Sequence, residues 1–233
     1  MQRRQFNVAV LAPAALRGAA PGLLAAASRA FALGESEAVA GVREALARGA
    51  GSAVGRLGRP GGFLDDPRVR IPLPEGLEGA ATLMRSLGQG QRVDELVTAM
   101  NRAAEAAVPE ARPLLLDAVK SMSVEDAVRI VRGGDTSVTD FFAAKTREPL
   151  SARFRPIVEA QTRKVSLARK YDAVARKGAT FGLLKQQEAD VEGYVTRKAL
   201  DGLYRVIGEE EKKIRADPVA TGSALLKAVF GGR

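Results

Sequence analysis

The chain has 233 residues, 46% of them hydrophobic and 27% charged, and 36 Lys and Arg against 27 Asp and Glu leave a formal net charge of +9. Cysteine and histidine are both absent, which removes thiol nucleophiles, disulfides, imidazole bases and the usual ligand sets for zinc, copper and haem. No metal and no cofactor are therefore expected, and the length suits one large domain with a substantial core.

Residues 1–32 carry Arg3, Arg4, Arg17 and Arg29 without a single acid, are rich in alanine, and close on Ala30-Phe31-Ala32, a small-x-small arrangement suited to signal peptidase. The run Gln2-Arg3-Arg4-Gln5-Phe6 resembles the twin-arginine signal, an arginine pair followed one residue later by Phe, although Asn7 stands where leucine is usual. The expectation is a removable export segment at 1–32, handled transiently by the twin-arginine machinery, and a domain at 33–233 released into the periplasm. Removing the four arginines lowers the net charge to +5. The apolar stretches Gln5 to Leu16 and Gly18 to Ser28 fall short of the roughly 20 residues that span a bilayer. No transmembrane helix is expected, and no cysteine follows the segment to carry a lipid anchor.

From Ser36 to Leu57, Val39, Val42, Leu46, Val54 and Leu57 recur at helical spacing, and Gly49, Gly51 and Gly55 are expected to allow close packing of that helix. Residues 58–76 hold eight Gly or Pro, so no regular helix passes through them. Within this loop Val69, Ile71 and Leu73 alternate while Pro72 and Pro74 remove backbone donors, which predicts an extended strip along the bundle. Leu77 to Leu87, closed by Gly88, and Val93 to Val108 predict two further helices, with a break at Pro109. Ala111 to Met122 repeats the pattern, Ser123 with Asp126 forms a capping box for Val124 to Arg132, and Ser137 with Asp140 predicts another cap. Pro156 is expected to kink or divide the helix that follows. Further helices are predicted through Tyr171 and Val174 to Gly178, from Asp190 through Ile214, and from Asp217-Pro218 through Phe230. The fold class is all-α: a single-domain bundle of about eight helices, with a Pro/Gly-rich loop after the first helix of the mature chain.

The segments GFLDDPRVRIPLPE (62–75), MNRAAEAAVPEA (100–111), MSVEDAVRIVRGGD (122–135) and GYVTRKALDGLY (193–204) together resemble the bacterial family called domain of unknown function 4197. The resemblance runs from about residue 38 to the C-terminus. It implies a protein typically exported by Gram-negative bacteria, and it brings no activity and no functional residue with it.

Two groups of residues are candidates for a site. Asn101, Arg102 and Glu105 lie on one helix, with Asn101 close to its apolar face, while Tyr194, Asp201 and Tyr204 lie on another with Asp201 and Tyr204 able to line a groove. These six form a candidate polar pocket. The clearest asymmetry is charge, because residues 145–185 contain eleven Lys or Arg against three Asp or Glu. Arg163, Lys170 and Lys177 repeat every seven residues with Lys164, Arg169 and Arg176 beside them, so one helical face carries a basic stripe. Such a stripe suits phospholipid headgroups, lipopolysaccharide or another anionic envelope polymer. Nucleic acid is not expected, since Tyr171 is the only aromatic among the basic residues from Arg163 to Lys177 and export separates the chain from DNA. The function expected is non-catalytic binding or a structural role in the cell envelope; the alternative is a hydrolase using paired carboxylates on an envelope polymer.

Overall fold

The computed structural model describes residues 21–164 and 190–217, with side chains from residue 39 onward except Ala80. Among these residues there are seven α-helices, one 3₁₀ turn and no strand: α1 (Pro21–Leu57), α2 (Glu75–Ser86), α3 (Gly90–Ala107), the turn Val108–Glu110, α4 (Ala111–Lys120), α5 (Val124–Arg132), α6 (Ser137–Thr162) and α7 (Val191–Ala216). The helices expected through Tyr171 and Val174 and after Asp217 lie outside the described residues. By contacts the chain divides into two units, Met1–Glu37 and Ala38–Arg233. No described helix is long and apolar enough to cross a membrane.

The second unit is built on α6. It packs against α7 and α3 and receives α4 and α5, while α2 lies on α3 and α3 also meets α7. Phe142, Leu150, Phe154 and Val158, all fully buried, form a row at intervals of four or eight along α6, the ridge that interdigitates with neighbouring helices. Facing rows are Val195, Ala199, Leu203 and Val206 of α7 and Met100, Ala103, Ala104 and Ala107 of α3, also buried. The small residues of α3 let its backbone approach α6, and each Phe- or Leu-sized side chain buried this way contributes about 1.5–3 kcal/mol. On α1, Val39, Val42, Leu46, Ala50, Val54 and Leu57 are buried at the predicted spacing.

The helix boundaries follow local chemistry. Ser123 and Asp126 form the reciprocal capping box at the start of α5. Asp190 accepts from the Gly193 N–H at 2.9 Å to start α7. Gly88 ends α2 with φ of 73°, the left-handed conformation that glycine adopts without steric cost. At α6 the outcome differs: the first helical residue is Ser137, whose hydroxyl donates to Ile130 O at 3.0 Å, and Thr136 bonds Asp140 instead. Ser137 is drawn away from capping by a tertiary acceptor.

Of the kink or division expected at Pro156, the division does not occur, since α6 runs unbroken through both Pro149 and Pro156. Both rings lie on the exposed side of the helix, where a carbonyl deprived of its N–H partner still meets water. The α1 glycines also behave differently from one another. A Cβ on Gly49 would sit 3.8 Å from Glu210 Cβ and Ile214 Cδ1 of α7, whereas Gly51 and Gly55 face open space. Only Gly49 lies in a helix contact.

Candidate functional site

The most closely held irregular segment is the Pro/Gly-rich chain between α1 and α2, fixed to α3 by two buried side chains. Glu105 accepts from the Phe63 and Leu64 N–H groups with one oxygen, each at 3.1 Å, and its other oxygen meets Arg102 at 2.6 Å. One turn earlier on α3, Asn101 accepts from Ile71 N at 2.9 Å and donates to Ile71 O at 2.9 Å and Val97 O at 2.8 Å. An asparagine carries a donor and an acceptor side by side, so it satisfies both polar groups of one extended residue, which no apolar side chain at that position would do. Val69, Ile71 and Leu73 are buried at alternate positions, and Tyr194 of α7 donates to Pro72 O at 3.2 Å. The predicted strip thus lies along the bundle.

Phe63 anchors the front of the loop. It is fully buried, and a Cβ on Gly202 of α7 would lie 2.7 Å from its ring, so the missing side chain makes the space the ring occupies. The outer rim is ionic: Arg56 and Arg68 each meet Asp66 at 2.7 Å, Arg68 meets Glu209 at 2.9 Å, and Arg56 and Arg205 approach Glu209 at 3.6 and 3.9 Å. Beside this rim runs an open groove of about 570 Å³ lined by Arg56, Arg59, Asp65, Asp66 and Arg68 with the loop backbone.

The six residues of the candidate pocket fall in two places. Asn101, Arg102, Glu105 and Tyr194 gather at the loop. Asp201 and Tyr204 lie instead on the α6–α7 seam, where Arg147 meets Asp201 at 3.0 Å and its guanidinium lies 4.9 Å over the Tyr204 ring. The Tyr204 hydroxyl pairs with Thr146 Oγ1 at 2.9 Å. Burial pushes both the Tyr194 and the Tyr204 phenols above their usual value, so both remain protonated hydrogen-bonding groups near neutral pH.

All four segments singled out in the sequence lie in this unit, and the family model described as protein of unknown function, DUF4197, matches residues 32–231. The chain belongs to the DUF4197 family. No curated protein and no solved structure matches it significantly.

This DUF4197 chain holds one polar node that the sequence reading passed over. Glu211 of α7, almost fully buried, accepts from the Val138 N–H at the start of α6, pairs with Arg215 at 2.9 Å, and lies 3.2 Å from the Ser137 hydroxyl, where it competes with Ile130 O for the one hydrogen. A carboxylate there satisfies a free helix N–H and complements the positive end of the helix dipole. Arg215 also donates to Ile130 O at 2.8 Å, which ties the end of α5 into the node. The i,i+4 spacing of Glu211 and Arg215 was visible in sequence, but it is indistinguishable from an ordinary surface pair. A cavity of about 20 Å³ lies against the node, lined by Leu46, Ala50, Val138, Ile207 and Ile214, roomy enough for about one water molecule.

Of the basic stripe, Arg163 and Lys164 close α6 and are exposed, with Arg163 paired to Glu159 and Lys164 bonded to Gln161 at 3.0 Å. Arg169, Lys170, Arg176 and Lys177 lie outside the described residues, as do Arg3, Arg4 and Phe6 of the signal. Ala30 and Ala32 fall within α1. Nearer the middle of α6 the cations separate by side. Arg147 and Arg155 face α7 and are paired with Asp201 and Asp190, at 3.0 and 2.9 Å. Burial raises the Asp190 carboxyl, but the Gly193 N–H and Arg155 outweigh it and hold the group below the usual carboxylate value. On the opposite side Lys145 and Arg153 are exposed, and among the described residues their side chains make no ion pair or hydrogen bond.

Proposed function

We propose that this member of the DUF4197 family is an exported, non-catalytic binding protein of the bacterial cell envelope that contacts an anionic component, phospholipid headgroups or lipopolysaccharide, through its basic helical face. The observation that carries the reading is the sorting of cations on α6: those toward α7 are paired with acids, and Lys145 and Arg153 on the outer side are not, among the described residues. The same segment continues into Arg163, Lys164, Arg169, Lys170, Arg176 and Lys177, within a stretch of eleven Lys or Arg and three acids from 145 to 185. Export is supported by the arginine pair and by Ala30-Phe31-Ala32. Binding is favoured over hydrolysis because Glu105 commits both oxygens to the loop and Arg102, and Asp201 is paired with Arg147. Glu105 thus holds structure and has no oxygen left over to activate water.

Co-sedimentation with lipid vesicles tests the reading. The protein is expected to sediment with anionic but not neutral vesicles at low salt, and to be released toward physiological salt as the Debye length shortens to about 8 Å. Each of Arg163, Lys164, Arg169, Lys170, Arg176 and Lys177 would contribute about 1 kcal/mol near such a surface, so changing all six to Gln should abolish sedimentation. Equal binding by wild type and variant, or no binding at low salt, would overturn the proposal.

A further inference from the structure

The outer side of α6 carries more than charge. Lys145, Pro149, Arg153, Pro156 and Ala160 follow one another at intervals of four, four, three and four, all exposed, so they form a single row along the helix. At 1.5 Å per residue this row is about 22 Å long, and Arg163 and Lys164 extend it. Two properties distinguish it. First, it is devoid of large apolar side chains: the exposed large hydrophobic residues of the described chain are Leu83, Leu87, Val124 and Val128, on α2, its C-terminal boundary and α5. Nothing on the row would insert among acyl chains. Second, both prolines of α6 lie on it, and neither brings an N–H to the carbonyl four residues earlier, that of Lys145 or of Ala152. Both of those residues are exposed.

The row therefore alternates cationic side chains with backbone acceptors released from the helix ladder. A ligand complementary to both must present anions and hydroxyl donors along a line. We propose that the outer row of α6 is a binding site for an acidic glycan strand, its carboxylate or phosphate groups meeting Lys145, Arg153 and Lys164 and its hydroxyls donating to the Lys145 and Ala152 carbonyls. The inference deepens the envelope-binding reading and rests on it, but it names a sugar polymer where a bare lipid surface would use the cations alone. Prolines on a solvent face are tolerated in any helix; a pair of them seven residues apart and interleaved with unpaired cations gives the row its acceptors.

The test compares two polycarboxylates of matched length and charge, polygalacturonate with hydroxyls and polyacrylate without, and neutral dextran, by fluorescence anisotropy at fixed ionic strength. Wild type is expected to bind polygalacturonate more tightly than polyacrylate and dextran not at all. Changing Lys145, Arg153 and Lys164 to Gln should weaken both polyanions by about tenfold or more, since each cation near an anionic surface is worth close to a factor of five. Changing Pro149 and Pro156 to Ala returns the N–H groups to the ladder without removing charge, and alanine suits a helix better than proline. That variant should keep its affinity for polyacrylate and lose the preference for polygalacturonate. Unchanged glycan binding by the Gln variant, a preference that survives the Pro to Ala change, or equal binding to dextran would each overturn the inference. Sedimentation with anionic vesicles without any binding to polygalacturonate would sink this inference alone; binding to neither would sink both.

Discussion

Replacing Glu105 with alanine is expected to lower the stability of the protein by about 3–5 kcal/mol, the loss seen when one partner of a buried charged network is removed. The Glu105 side chain is 5% exposed, and its carboxylate serves three donors, the Phe63 and Leu64 N–H groups and Arg102. Alanine would leave the buried Phe63 N–H without an acceptor and cost its desolvation outright. Arg102 matters less, because its side chain is 43% exposed and water replaces the lost pair, so Arg102→Ala should cost under about 1 kcal/mol. Glu105→Gln keeps an oxygen in front of the two N–H groups and should fall between these values. Urea melts of the three variants check the order. A loss below about 1 kcal/mol for Glu105→Ala would mean that the loop is held by other contacts.

Phe63→Ala carries the second large effect, about 3–5 kcal/mol for removing a fully buried ring, and it makes a sharper prediction in combination with Gly202. On its own Gly202→Ala places a Cβ 2.7 Å from Phe63 Cε1 and 3.4 Å from Val69 Cβ. The ring cannot retreat readily, since its own backbone N–H is held by Glu105. Overpacking of this kind costs about 1–3 kcal/mol, against a gain of up to about 1 kcal/mol from replacing glycine inside a helix. The substitution should therefore destabilise the wild type. In the Phe63→Ala background the clash is gone and the helix term remains, so the same Gly202→Ala change should be neutral or stabilising. A double-mutant cycle that showed no such change of sign would separate Gly202 from Phe63.

These two sites show what was legible in the sequence. Helical periodicity located the α1 to α5 cores, and Ser123 with Asp126 announced the start of α5, because both signals are local. The alternation of Val69, Ile71 and Leu73 among prolines announced an extended strip. The partners of that strip were not legible: Asn101 stands out as a polar residue close to an apolar face and Glu105 only as its neighbour on the same helix, and their partners in the loop lie 30 to 42 residues away in the chain. Gly202 carries no signal of its own in the sequence, and the Phe63 ring gives it a reason. Ser137 failed to cap α6 because a tertiary acceptor and Glu211, 74 residues distant, claim its hydroxyl. Pro156 failed to divide α6 because its exposed position leaves the deprived carbonyl to solvent. Sequence spacing records neither long-range partners nor the side of a helix that meets water.

Charge spacing predicts a seven-residue repeat of Arg163, Lys170 and Lys177, of which Arg163 alone lies among the described residues. Charge counting treats Arg147 and Arg155 like Lys145 and Arg153, whereas their surroundings differ: the first two are paired with Asp201 and Asp190, and the second two form no ion pair among the described residues. Lys145 and Arg153 can therefore meet an anion without breaking one of these ion pairs.

Native mass spectrometry of the protein purified at low salt from the envelope fraction of its own bacterium tests the envelope-binding account most directly. The account expects a species beginning near Leu33 that carries an acidic adduct, phosphorylated or uronate-bearing, which dissociates as salt is raised and is missing when Lys145, Arg153 and Lys164 are changed to Gln. A protein recovered from the cytoplasm with Met1 intact, or one whose adduct is retained by that variant, would contradict it.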